Sequence, residues 1–217
     1  MPRVLLTAFA PFDGQAVNAS ALAVEAVAAA WTGPAELVMR VLPVSFARAP
    51  RELADAVAAA VPALVVAVGE AGGRAAVGVE RVALNLLDAR IPDEDGATPV
   101  DVPVDPDGPA ARFSTLPVKA CVAAGRATGV PTELSLTAGT YVCNALAYAL
   151  GGLLESRAEV DGVAVRGGFV HVPRTPAQAG RGGAALATED AARVLDAVVR
   201  TALARATDDR RSEGALA

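Results

Sequence analysis

A thiol, an imidazole and a carboxylate brought together make a nucleophile, a proton carrier and a group that orients the carrier. This chain has few residues from which to build such a set, with 2 cysteines and 1 histidine. Cys121, in "KACVAAG", falls on the apolar side of a helical window and reads as a small buried hydrophobe. Cys143 differs. It follows the small-residue turn "TAGTY" and opens the helical run "CNALAYALGGLLES", so its sulfur would face the positive end of a helix dipole, where a thiolate is stabilised and its pKa falls. A strand-to-helix turn of this kind can present a nucleophile at the C-terminal edge of a sheet. His171 closes the apolar strand "GGFVHVP", a second candidate for that edge, and a thiol nucleophile needs an imidazole to take its proton and hand it to the leaving amine. Read alone, a core imidazole hydrogen-bonded to backbone accounts for His171 as well. Glu80 lies inside "VGVERVALNLL", which otherwise reads as a buried strand. Buried carboxylates survive by pairing, either here with His171 or with Arg81 or Arg90, and spacing alone leaves both open.

The elements that must position these residues follow from hydrophobic periodicity. "RVLLTAF" precedes "SALAVEAVAAAW", "ELVMRVLPV" precedes "PRELADAVAAAV", and "ALVVAVG" follows. Short β-branched or Leu-rich runs alternating with Ala-rich helical windows predict βαβ units. The fold class is therefore α/β, a single α/β/α domain over residues 1–207 around a largely parallel twisted sheet. Further along, "VGVERVALNLL" reads as one alternating strand, "LPVKACVAAGRAT" as a helix, "TELSLT" and "GGFVHV" as strands, and "TEDAARVLDAVVRTALARA" as a closing helix. Ser45 and the Thr188, Glu189, Asp190 run supply helix-start chemistry. The Pro/Asp/Gly-rich "RIPDEDGATPVDVPVDPDGP", about twenty residues, is longer than most loops inside a compact domain, and such loops often serve function. Residues 208–217 are polar and weakly patterned, and are expected to be a disordered tail.

Composition narrows the function classes. The chain has 217 residues, 53% of them hydrophobic and 4% aromatic, and a net charge of −5, which suits one packed interior. Its basic residues are scattered, so no nucleic-acid partner is expected. No apolar run reaches the roughly 18 to 20 residues of a membrane span, and the N-terminal run is too short for a secretory signal. No membrane partner is expected, and cytoplasmic residence is the default. Two cysteines without metal-ligand spacing and a lone histidine predict no metal and no cofactor. The turn "GEAGGR" could bind an anion through its backbone, although it lacks the phosphate-loop patterns.

Taken together, "LLTAFAPFDG…N", "GEAGGR", "ERVALNLLDARIPDEDG", "DGPAARFSTLP", "TAGTYVCN" and "GFVHVP" closely resemble the pyroglutamyl-peptidase I family, in the family's order over residues 4 to 178. The resemblance implies a cysteine peptidase that removes N-terminal pyroglutamate from peptides, on an α/β/α fold related to the purine nucleoside phosphorylases. It implies Cys143 as nucleophile, His171 as general base and acid, Glu80 as the orienting carboxylate, and Arg90 near the developing oxyanion. It also implies an aromatic clamp of Phe9 and Phe12 for the flat, neutral lactam. Asn18 and backbone groups near Glu70 would address the lactam edge, with Ile91, Tyr141 and Val142 as walls. Association as a dimer or tetramer is a further implication. The family usually carries Gln at Glu70, Gly at Asp13 and Asn at Leu136, and a carboxylate at position 70 would repel the lactam oxygen if it entered the pocket. Two rival readings are a phosphorylase- or nucleoside-hydrolase-like enzyme on the same architecture, and an inactive peptide-binding homologue.

Overall fold

The computed structural model describes residues 1–156, 165–180 and 182–214. In chain order the elements are β1 (Arg3–Phe9), α1 (Ala19–Ala30), β2 (Glu36–Leu42), α2 (Arg48–Ala60), β3 (Leu64–Ala71), β4 (Val77–Glu80), β5 (Val82–Leu84), β6 (Ala111–Phe113), α3 (Val118–Ala127), β7 (Thr132–Ser135), α4 (Val142–Ser156), β8 (Arg166–Pro173), α5 (Pro176–Ala179) and α6 (Thr188–Ala204). Six strands form the main sheet in the order β2-β1-β3-β8-β4-β7. All neighbours run parallel except β4 and β8, which are antiparallel.

Alternation along the strands sorts side chains between two apolar cores, because successive residues point to opposite faces of a sheet. Val4, Leu6 and Ala8 of β1, Leu64, Val66 and Val68 of β3, Val77 and Val79 of β4, and Val170 and Val172 of β8 pack with α1, α3 and α6. Leu5 and Phe9, Val65 and Ala67, and Phe169 pack instead with α2 and α4. A fully buried side chain of this size contributes about 1.5–3 kcal/mol, so a one-residue slip of any central strand would exchange both cores at once. The same alternation puts Gly69, Gly78, Glu80 and His171 on the face that carries α4. Cys121 lies in the opposite layer, buried against the Val198 carbonyl.

Two expectations are corrected. "VGVERVALNLL" is not one strand: after Glu80 the chain leaves the main sheet, and β5 pairs with β6 in a two-stranded antiparallel ribbon. Arg81 marks the switch, its N–H donating to the Ser135 carbonyl while its own carbonyl accepts from Ser114. Residues 208–214 are not a loose tail. The Asp208 carboxylate accepts from the N–H groups of Lys119 and Ala120 at 3.2 and 3.0 Å, capping α3, and Glu213 pairs with Arg126 at 3.0 Å; residues 215–217 lie outside the described residues. The long loop after Arg90 is pinned down: buried Asp93 accepts from the N–H groups of Phe46, Asp95 and Ala97 at 2.8, 2.9 and 2.8 Å. Among the described residues no helix is long and apolar enough to cross a membrane.

A Cβ at Gly69 would lie 2.7 Å from Phe169 Cζ and 2.9 Å from Cys143 Sγ, closer than packed atoms allow. Gly69→Ala is expected to cost about 1–3 kcal/mol of stability, read as a lowered thermal midpoint by calorimetry; an unchanged midpoint would show that the packing around Cys143 yields freely.

Candidate active site

Strand register builds the centre of the site. His171 on β8 lies opposite Gly69 of β3 on one side and Gly78 of β4 on the other. With no side chain on either neighbour, the space flanking the imidazole is open to groups from elsewhere in the chain. Cys143 Sγ and the Phe169 ring edge take the space over Gly69, and Arg74 Nη1 takes the space over Gly78, where a Cβ would meet it at 2.6 Å. The Phe169 ring leans on the imidazole, with centroids 4.8 Å apart.

Glu80 stands two residues beyond Gly78 on the same face and is 2% exposed. Its Oε1 accepts from His171 Nδ1 at 2.7 Å and from Arg74 Nη1 at 2.8 Å. Donation from Nδ1 to a carboxylate selects the tautomer whose Nε2 is free to accept a proton. Arg74 is held in turn by the Thr137 carbonyl at 2.8 Å and Ser135 Oγ at 3.3 Å. Glu80 therefore pairs both with the imidazole and with an arginine, and that arginine is neither Arg81 nor Arg90. Arg81 lies over the Phe113 ring instead, 5.9 Å from its centroid. Sequence reasoning missed Arg74 although it ends the quoted "GEAGGR"; a cation a few positions ahead of a carboxylate in an apolar strand was the available signal.

Cys143 is the second residue of α4 and lines a cleft of about 650 Å3 together with His171. Its position at the helix start is as expected, yet its acidity is not. Burial pushes the thiol up to about 12, the Glu80 charge pushes in the same direction, and Arg74 opposes them. Desolvation of a thiolate thus opposes what a helix start would favour. Among the described residues no backbone carbonyl outside α4 accepts from the Cys143 N–H, which leaves it available as a donor at the mouth of the helix.

The rest of the cleft divides into walls and hydrogen-bonded scaffolding. Phe9, Phe12, Ile91 and Tyr141 line it, as does Arg90, an exposed cation without an acidic partner within 4.0 Å among the described residues. Phe12 and Tyr141 lie tilted by 38° with centroids 6.0 Å apart, and Phe46 meets Tyr141 edge-on at 5.1 Å. Burial raises the Tyr141 phenol to about 12, keeping it a donor to the Pro92 carbonyl at 2.9 Å, which ties the Arg90–Ile91 segment to the turn before α4. Val142 is a correction: its side chain is 0% exposed inside the α2/α4 core and does not line the cleft.

Asn18 and Glu70 line the cleft, but their side chains are engaged. Asn18 caps α1, its Oδ1 accepting from Ser20 N–H at 3.0 Å and Ser20 Oγ at 2.7 Å while Nδ2 donates to the Ala10 carbonyl at 3.1 Å. Glu70, by alternation, faces the α1 side. Its Oε2 accepts from Ala19 N–H and Gln178 Nε2, both at 2.8 Å, and its Oε1 from Arg174 Nε at 2.9 Å. A carboxylate at the N-terminus of α1 is favoured by the helix dipole, and three donors leave it little capacity to repel a ligand oxygen. An anion bound at this turn would instead meet the Glu70 charge, which weighs against the phosphate-loop reading. Asp13 adopts φ 54°, a left-handed conformation natural for glycine and tolerated by aspartate.

Residues 2–205 match the family model described as pyroglutamyl peptidase. The pyrrolidone-carboxylate peptidase of Clavibacter michiganensis subsp. michiganensis is 48% identical over 217 residues, covering 100% of both chains. The crystal structure of pyroglutamyl peptidase I from Bacillus amyloliquefaciens superposes with a TM-score of 0.88 at 38% identity, covering 96% of this chain and 100% of that one. The pyrrolidone carboxyl peptidase from Thermococcus litoralis does so with a TM-score of 0.87 at 34% identity over 94% of each chain. Full-length similarity in sequence and fold establishes that the chain belongs to the pyroglutamyl peptidase family of cysteine peptidases.

Proposed function

We propose that this protein hydrolyses the amide bond that follows an N-terminal pyroglutamyl residue, with Cys143, His171 and Glu80 as the reacting set. The reading is carried by the cleft that Cys143 and His171 share, with Glu80 hydrogen-bonded behind the imidazole at 2.7 Å. His171 Nε2 takes the thiol proton as the sulfur attacks the pyroglutamyl carbonyl carbon. Negative charge then develops on the carbonyl oxygen, where the Cys143 N–H and the unpaired Arg90 guanidinium are the donors at hand. Collapse of the tetrahedral intermediate breaks the C–N bond, and the imidazolium gives its proton to the leaving amine. A water, deprotonated by the same imidazole, then hydrolyses the pyroglutamyl thioester, releasing pyroglutamate and restoring the thiol.

The substrate choice follows from the walls. A flat, neutral lactam without a free amine suits the aromatic and apolar surfaces of Phe9, Phe12, Ile91 and Tyr141. An N-terminal glutamate with its ring opened would bring an ammonium and a carboxylate into that space and lose much of their hydration. With the Glu70 carboxylate engaged elsewhere, backbone groups near it serve the lactam edge. Residence in the cytoplasm and assembly as a dimer or tetramer belong to the same proposal; light scattering on the purified protein reads the assembly.

A pyroglutamyl amide with a chromogenic leaving group is the direct test. Cys143→Ala and His171→Ala are each expected to lower turnover by a factor on the order of 10^4 or more, because members of one reacting unit are not additive, while Glu80→Gln keeps a fraction of the rate. Cys121→Ser should retain activity; equal loss from both cysteine variants would sink the assignment. The raised thiol sets a pH dependence with a definite sign. In His171→Ala, where no imidazole takes the proton, alkylation of Cys143 by iodoacetamide should climb about tenfold per pH unit through pH 9 and beyond, whereas a plateau near neutrality would contradict a buried neutral thiol. Glu70→Gln should change kcat/KM for the chromogenic substrate by no more than about threefold; a gain of a hundredfold would mean that the carboxylate does oppose the lactam.

A further inference from the structure

Glu80 raises a question that the Cys–His–Glu set does not answer. A carboxylate 2% exposed carries a charge into the protein interior, and a neutral imidazole beside it supplies a hydrogen bond but no compensating charge. A buried carboxylate left without an opposing charge is strongly destabilising. Arg74 is the cation that reaches it. Its Nη1 is 2.8 Å from Oε1, the same oxygen that accepts from His171 Nδ1, and its side chain is fixed by the Thr137 carbonyl and Ser135 Oγ. The absence of a side chain at Gly78, directly beside His171 in the sheet, is what gives the guanidinium its path.

We propose that Arg74 is a positioning residue for proton transfer: it balances the buried Glu80 charge and fixes the oxygen to which His171 donates, so that the imidazole stays aimed at the Cys143 sulfur. This rests on the peptidase reading above for its catalytic meaning, but not for its electrostatics. Arg74 faces the imidazole across one shared oxygen and favours the Cys143 thiolate against the opposing charge of Glu80. Removing a cation from this group makes loss of a proton harder at the thiol. The other charges nearby are Glu70 and Arg174, paired at 2.9 Å, then Arg90, Asp88 and Asp13 around the cleft, and Arg112 at a small cavity that Glu80 also lines. None of them contacts the shared oxygen.

The experiment compares full-length wild type, Arg74→Met and Arg74→Lys by two readouts: pH-dependent iodoacetamide labelling of Cys143, identified by peptide mass, and chromogenic turnover. In Arg74→Met the labelling curve is expected to move up by about one pH unit, and kcat to fall about tenfold with KM within about twofold. Arg74→Lys keeps the charge and should hold the labelling curve near wild type, with turnover between the other two. An Arg74→Met labelling curve that coincides with wild type overturns the proposal whatever its turnover, because the residue then acts only on packing. So does an Arg74→Lys curve displaced as far as that of Arg74→Met. Wild type without turnover would defeat the peptidase reading and still leave the labelling curves to decide the role of Arg74.

Discussion

A negative charge held inside the protein is the constraint on which the site depends. Glu80 sits on a central strand between β8 and β7, shielded from water, and a carboxylate there is tolerated only if its neighbours meet it. Two do so on one oxygen, the His171 imidazole and the Arg74 guanidinium. Their access depends on an unusual local sequence, since both residues opposite His171 in the sheet are glycines. One glycine admits the thiol and the other admits the guanidinium. The imidazole is thereby flanked by the Cys143 sulfur and by the Glu80–Arg74 pair.

The thiol pays for this dryness in acidity. A helix N-terminus ordinarily favours a thiolate, yet burial and the nearby Glu80 charge raise the Cys143 thiol to about 12. A thiol this weakly acidic is a poor nucleophile without a proton acceptor beside it.

Around this centre, polar residues that could have crowded the cleft are bound to one another. Glu70 accepts from a helix N-terminus, an arginine and a glutamine, and Asn18 is committed to capping α1. Glu70 follows Gly69 by one residue and so turns its carboxylate toward the α1 side of the cleft, where Ala19 N–H meets it. Among the residues that line the cleft, Phe9, Phe12, Ile91 and Tyr141 supply apolar surface beside the charged Asp13, Asp88 and Arg90. The glutamate in place of the family's usual glutamine is accommodated by Arg174, whose guanidinium supplies the balancing charge.

Much of this was legible in the chain itself. Short apolar runs alternating with amphipathic windows determined the α/β architecture and most element positions, because period-2 and period-3.6 patterns are local properties. The scarcity of cysteine and histidine, with a carboxylate lodged in an apolar strand, determined which residues could react. Tertiary structure decided the rest, since each outcome depends on contacts between distant segments. Pairing across strands, not spacing, chose Arg74 over Arg81 and Arg90 as the partner of Glu80. The break after Glu80 and the antiparallel β4–β8 neighbours arise from pairing with β6 and β8, which no single strand pattern encodes. Residues 208–214, featureless alone, gain order because Asp208 meets the free N–H groups of a helix begun some ninety positions earlier. The acidity of Cys143, finally, was set by how much water its neighbours exclude, a quantity that exists only once the chain has folded.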